Sequence, residues 1–77
     1  MNNALEYYLK LPYTIEIIPD EEDGGYVARI RELPGCLTQA DTWEELSLLI
    51  EDAKRLWLES AIAHNGPIPE PLREFWR

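Results

Sequence analysis

Cys36 and His64 are the residues of this chain best suited to chemistry, and each is the single representative of its type. Cys36 follows a Pro-Gly break in "LPGC", residues 33–36. A Cys–His pair works as nucleophile and base only when thiol and imidazole are in hydrogen-bond contact. His64 falls near the end of a long helical pattern that starts after Cys36, so the two are expected at opposite ends of a small domain. A zinc site needs several Cys or His ligands, and these two residues are too few. Cys36 has no second cysteine to form an internal disulfide. The reading left for it is a small, soft thiol that starts a strand and packs inside.

The densest group of possible metal ligands is Asp20, Glu21, Glu22 and Asp23 in "PDEEDGG", residues 19–25. Carboxylate oxygens suit a divalent ion, so Asp20, Glu21, Glu22 and Asp23 are the candidate ligands. The alternating Asp spacing of a calcium loop is missing. Proline, acids and two glycines together instead mark a solvated hairpin turn. There is no Gly-rich phosphate loop leading into a helix and no Ser-centred elbow. The sequence predicts no catalytic residue, no metal, no cofactor and no small-molecule substrate.

Fifteen acids against seven bases leave a net charge of −8 over 77 residues. Binding to a phosphate backbone calls for clustered Lys and Arg, so direct nucleic-acid binding is not expected. A basic protein partner is favoured, because complementary charge speeds encounter. No apolar run reaches the roughly 18 residues of a membrane span. The N-terminal "MNNALEYYLKLPY" lacks the basic and apolar regions of a secretory signal. The expected location is the cytoplasm.

Elements that would carry these residues can be read along the chain. "NNALEYY" starts a short helix with Asn2 or Asn3 as its cap, and Pro12 stops it. "YTIEII" and "YVARIRE" are rich in β-branched and aromatic residues and flank the acidic turn, so they pair as an antiparallel hairpin. Alternation puts Tyr13, Ile15 and Ile17 on one face of the first strand, and Tyr26, Ala28 and Ile30 on one face of the second. "LPG" breaks the second strand and "CLTQA" forms a third. Thr42 and Glu45 have the spacing of a capping box, and Asn65-Gly66-Pro67 is a strong stop. Between them lies one long helix. The predicted class is α+β, a three-stranded antiparallel sheet packed by one long helix plus a short N-terminal helix. Residues 1–77 form a single domain, with its core at about 12–66 and an extended Pro-rich tail over 67–77.

At roughly 100° per residue, Trp43, Leu46, Leu49, Ile50, Ala53, Leu56, Trp57 and Ala61 share one stripe, expected to cover the sheet. Leu48, Leu58 and Ile62 fall on a second, weaker stripe. A two-layer domain offers the helix one sheet face, so this stripe needs another cover: the N-terminal helix, the C-terminal tail or another chain. Phe75 and Trp76 give the tail "LREFWR" an aromatic end suited to docking. Leu48, Leu58, Ile62, Phe75 and Trp76 are therefore the candidate contacts for a partner or for a dimer or tetramer of this chain.

The run "YTIEIIPDEEDGGYVARIRELPGCLTQADTWEEL", continued by "IEDAKRLWLESAIAHNGPIPEP", resembles the HicB-like antitoxin family over about residues 13–71. The acidic Asp-Gly turn, Gly-Tyr-Val-Ala, Leu-Pro-Gly-Cys, Asp-Thr with a Glu-rich helix, and the closing Pro-Glu-Pro occur in the family's order. The resemblance implies a partial ribonuclease H-like fold without the nuclease carboxylates; on that architecture a metal-dependent nuclease using Asp20, Glu22 or Asp23 is the least favoured alternative. It implies a binding protein, not an enzyme, that neutralises a HicA-type toxin by covering its catalytic histidine. Such toxins are small, basic and cleave mRNA. Self-association is also implied, as is the alternative of an orphan regulatory or scaffold protein without a toxin. Many members carry a C-terminal DNA-binding module. Only six residues follow Pro71 here, so none is expected in this chain.

Overall fold

A computed structural model of the chain describes residues 3–71. Its elements run α1 (Asn3–Leu9), β1 (Ile15–Pro19), β2 (Tyr26–Ile30), β3 (Leu37–Ala40) and α2 (Trp43–Ala63). The strands form one antiparallel sheet in the order β1-β2-β3, as the two short connections require. The α+β class, the long helix and the short N-terminal helix are those the sequence predicts.

Two turns set the sheet. In the first, the Asp20 carboxylate accepts from the backbone N–H of Glu22 at 3.1 Å and of Asp23 at 3.2 Å. The chain then reverses through Gly25 at φ +79°, where an added Cβ would lie 2.5 Å from the Ala40 carbonyl oxygen. Only glycine lets the hairpin end approach the β3–α2 junction so closely. In the second turn, the Cys36 N–H donates to the Leu33 carbonyl at 3.0 Å, with Gly35 at φ +81°. Pro at the second position and a positive φ at the third are the pattern of a type II turn.

Thr42 caps α2 by accepting from the Glu45 N–H at 3.2 Å. At the other end Asn65 adopts φ 54°. Its N–H donates to the Ile62 carbonyl at 3.2 Å, and that of Gly66 donates to Ala61 at 2.8 Å. These are the two bonds of a Schellman stop.

The core gathers Leu5 of α1, Ala28 and Ile30 of β2, Leu33 and Cys36 of the turn, and Leu46, Ile50 and Leu58 of α2. Cys36 is a free, buried thiol. Burial pushes its pKa up, partly opposed by the Lys54 charge. The indole N–H of Trp57 donates to the Pro34 carbonyl at 2.7 Å, which ties α2 to the turn that carries Cys36.

The buried side of α2 differs from the expected stripe. Its centre runs through Leu46, Ile50, Lys54 and Leu58, while Trp43, Leu49 and Leu56 remain exposed. The cause is α1, which packs against α2 beside the sheet, so the helix is covered from two directions. Leu58 is completely buried, and Ile62 packs against the core half-buried. Lys54 lies inside this wider stripe. Its stem is buried and its Nζ reaches the Leu9 carbonyl at 3.5 Å and Glu51 at 3.4 Å, as long cationic side chains do when their heads find polar partners.

The segment after α2 is held by tyrosines. The Tyr13 hydroxyl donates to the Pro69 carbonyl at 2.7 Å, and that of Tyr7 donates to the Glu70 carboxylate at 3.0 Å. Ile68 packs on the core, and Pro71 is buried.

Candidate functional site

Cys36, His64 and Asp20 are committed to structure. Cys36 sits in the core. The His64 ring nitrogen Nδ1 lies 2.8 Å from the Ser60 carbonyl oxygen at the end of α2. The Asp20 carboxylate shapes its own turn. Among the described residues no group of three or more His, Cys, Asp or Glu side chains is placed to hold a metal ion. No helix among them is long and apolar enough to cross a membrane.

The candidate contact residues divide. Leu48 is 74% exposed and free to meet a partner. Leu58 is a core residue, so its assignment to an outer contact stripe is corrected: α1 covers that side of the helix. Ile62 is half covered against the same core. Phe75 and Trp76 lie outside the described residues.

Leu48 borders a groove of about 430 Å³ between β1 and the N-terminal half of α2. Ile15 and Ile17 form one wall; Trp43, Leu46, Leu48 and Ile50 form the other, with Glu51 at the margin. Ile15 and Ile17 do lie on the helix-facing side of the sheet, in register with the buried Ile30 and Ala28. They are nevertheless 40% and 38% exposed, because α2 packs over β3 and β2 and does not reach across to the edge strand β1. Exposed apolar area collected in one concave place marks a binding surface more strongly than scattered apolar residues do.

Sequence periodicity assigns Ile15, Ile17 and Trp43 to covered faces, which is why it misses them as site residues. Periodicity does not tell how far across the sheet a helix reaches, and α2 packs on β3 and β2 without meeting β1.

One end of the groove is strongly acidic. The tight approach of Gly25 to Ala40 and Asp41 and the ring contact of Tyr26 with Trp43 at 5.1 Å bring the β1–β2 turn beside the start of α2. This brings the turn that carries Glu21, Glu22 and Asp23 toward the segment that carries Asp41, Glu44 and Glu45, and Glu51 is the acid that lines the groove itself. No Lys or Arg occurs from residue 32 to residue 53. Arg29 and Arg31 lie across the sheet, both paired with Glu16, at 2.7 Å and 3.4 Å.

Comparison with known proteins gives the family. Residues 13–74 match the model described as the HicB-like antitoxin of bacterial toxin–antitoxin systems. The chain is 44% identical over 64 residues to UPF0150 protein Ta0767 of Thermoplasma acidophilum, covering 83% of this chain and 91% of that one. It is 47% identical over 57 residues to UPF0150 protein ssl0259 of Synechocystis, covering 74% of this chain and 77% of that one. No solved structure gives a significant match. With the strands, turns and long helix in the order that the family's motifs demand, the chain belongs to the HicB-like antitoxin family of bacterial toxin–antitoxin systems.

Proposed function

We propose that this chain is an antitoxin that sequesters a small basic mRNA-cleaving toxin of the HicA type and covers its active site. The observation that carries this reading is the acidic end of the β1–α2 groove. A nuclease that grips RNA must present Lys and Arg toward phosphates. A protein that offers carboxylates around an apolar groove competes for those same cations. The apolar walls supply desolvated contact area, while the carboxylates at the margin steer encounter and orientation. Inhibition needs no chemistry from this chain, only occupation of the surface that RNA would use. As a cytoplasmic pair, the two proteins would meet as they are made.

The reading predicts that a small basic protein is encoded beside this chain, and it is tested by expressing that protein alone and together with it. The toxin alone is expected to stop growth and degrade mRNA. Co-expression restores growth, and the two proteins co-purify in a complex that weakens with added salt. Replacing Glu44, Glu45 and Glu51 by Lys, singly and together, is expected to weaken rescue progressively. Failure of the two proteins to associate, with growth arrest unrelieved, would refute the proposal.

A further inference from the structure

We infer that β1 is a docking edge, and that the antitoxin's partner adds an extended basic segment to it as a fourth strand whose apolar side chains enter the groove between β1 and α2. This rests on the antitoxin reading above and specifies how the partner is held.

Among the described residues no strand pairs with the outward side of β1. Ile30 is the β2 residue opposite Ile15. The Ile30 N–H donates to Cys36 at 2.9 Å and its carbonyl accepts from Leu33 at 3.1 Å. Neither group points at β1. One residue earlier on β1, the Thr14 carbonyl accepts from the Arg31 N–H at 3.0 Å. Bonded and non-bonded pairs alternate along an antiparallel ladder. The N–H and C=O of Ile15 and of Ile17 therefore project away from β2, as does the C=O of Pro19. Pro19 has no N–H to offer, a residue that sheets accept at an edge.

The same two residues point their side chains into the groove, so β1 offers backbone pairing and an apolar wall together. An edge that is long, apolar and uncharged on its open side is a liability unless something covers it. Here Ile15, Ile17 and Ile18 are all exposed, and no Lys blocks the strand. The opposite edge lacks the second half of this arrangement. Leu37 of β3 is exposed, but it lies on the register of Arg29, away from the helix, and borders no comparable apolar groove.

Charge decides between occupants. A second copy would bring its own acidic turn and its own Glu44, Glu45 and Glu51 to the groove, from a chain already at −8. A basic segment meets carboxylates there instead. The fitting ligand is an extended stretch with one or two apolar side chains entering between Ile17 and Leu48, flanked by Lys or Arg. This is strand addition, in which main-chain bonds supply affinity and side-chain pockets supply selectivity.

The test uses the whole chain with the HicA-type toxin that the proposed function requires, made inactive at its catalytic histidine. Amide exchange is followed at Ile15 and Ile17, free and in complex. Two variants accompany it. Ile17→Pro removes an outward N–H without removing a β1–β2 bond, and Leu48→Glu puts a charge in the groove wall. Thermal melts select variants that fold as wild type does. Exchange at both amides is expected to slow at least about tenfold in the complex, and each variant to weaken binding by at least about tenfold. Tight toxin binding with both amides still exchanging and both variants unaffected would overturn the docking edge and leave the antitoxin reading standing. No toxin binding at all would overturn both. Protection that grows with the concentration of the free chain, together with a doubled mass, would assign the edge to a second copy and overturn the basic-segment claim.

Discussion

The indole of Trp57 and the carbonyl of Pro34 meet at 2.7 Å, and this bond fixes the long helix to the corner from which β3 departs. The bond spans 23 positions of sequence. It joins the C-terminal half of α2 to the turn that buries Cys36. The helix position over β2 and β3, and with it the uncovered β1 that makes one wall of the groove, follows from this and the Leu46–Ile50–Leu58 packing. Trp57→Phe keeps most of the apolar contact and removes the donor. The expected cost is about 1 kcal/mol, read from the denaturant midpoint with an unchanged slope.

Leu48 and Leu58 share a side of the helix by simple periodicity, yet their environments are opposite. Leu58 is fully buried and Leu48 is 74% exposed. Leu58→Ala opens a cavity in the core and is expected to cost about 3 kcal/mol or more. Leu48→Ala should change stability by no more than about 0.5 kcal/mol. Equal costs at the two sites in chemical denaturation would contradict the placement of α1 beside α2.

The two ends of α2 were legible because their signals are local: a Thr-x-x-Glu start, and Asn-Gly followed by proline. The strands and both turns were legible for the same reason. What escaped was set by contacts distant in sequence. Lys54 reads as a polar interruption of the stripe, and only the Leu9 carbonyl, 45 positions away, explains how its stem can be buried. The site was half legible. Leu48 stood out as an apolar residue in need of cover. Ile15, Ile17 and Trp43 did not, because alternation tells which face a residue takes and not whether the opposing layer reaches it.

Gly25 and Gly35 both hold a positive φ, but they differ in what surrounds them. A Cβ at Gly35 meets nothing within 4 Å, whereas at Gly25 it would lie 2.5 Å from a backbone oxygen. Gly35→Ala carries only the cost of left-handed backbone, about 1–2 kcal/mol. Gly25→Ala adds a collision that no side-chain rotation relieves, so it is expected to cost clearly more. It should also disturb the Tyr26–Trp43 contact at the mouth of the groove. Thermal melts rank the two variants, and a change in tryptophan fluorescence confined to Gly25→Ala tests the second effect.

Tyr13 predicts how stability responds to alkali. Burial, and then the nearby Glu70 carboxylate, push its pKa from 10.0 up to about 12, and its protonated hydroxyl donates to Pro69. The neutral form is therefore favoured in the folded chain relative to the unfolded one. A raised phenol pKa contributes stability fully below the unfolded value, near pH 10, and that contribution is lost as pH climbs toward 12. Denaturation measured across this window should show wild type losing stability steeply. Tyr13→Phe cannot titrate and cannot donate to Pro69. It should start lower at pH 8 and decline less between pH 10 and 12, so the two curves converge. Parallel curves would mean that Tyr13 titrates as a free phenol and that the 67–71 segment is held by other contacts.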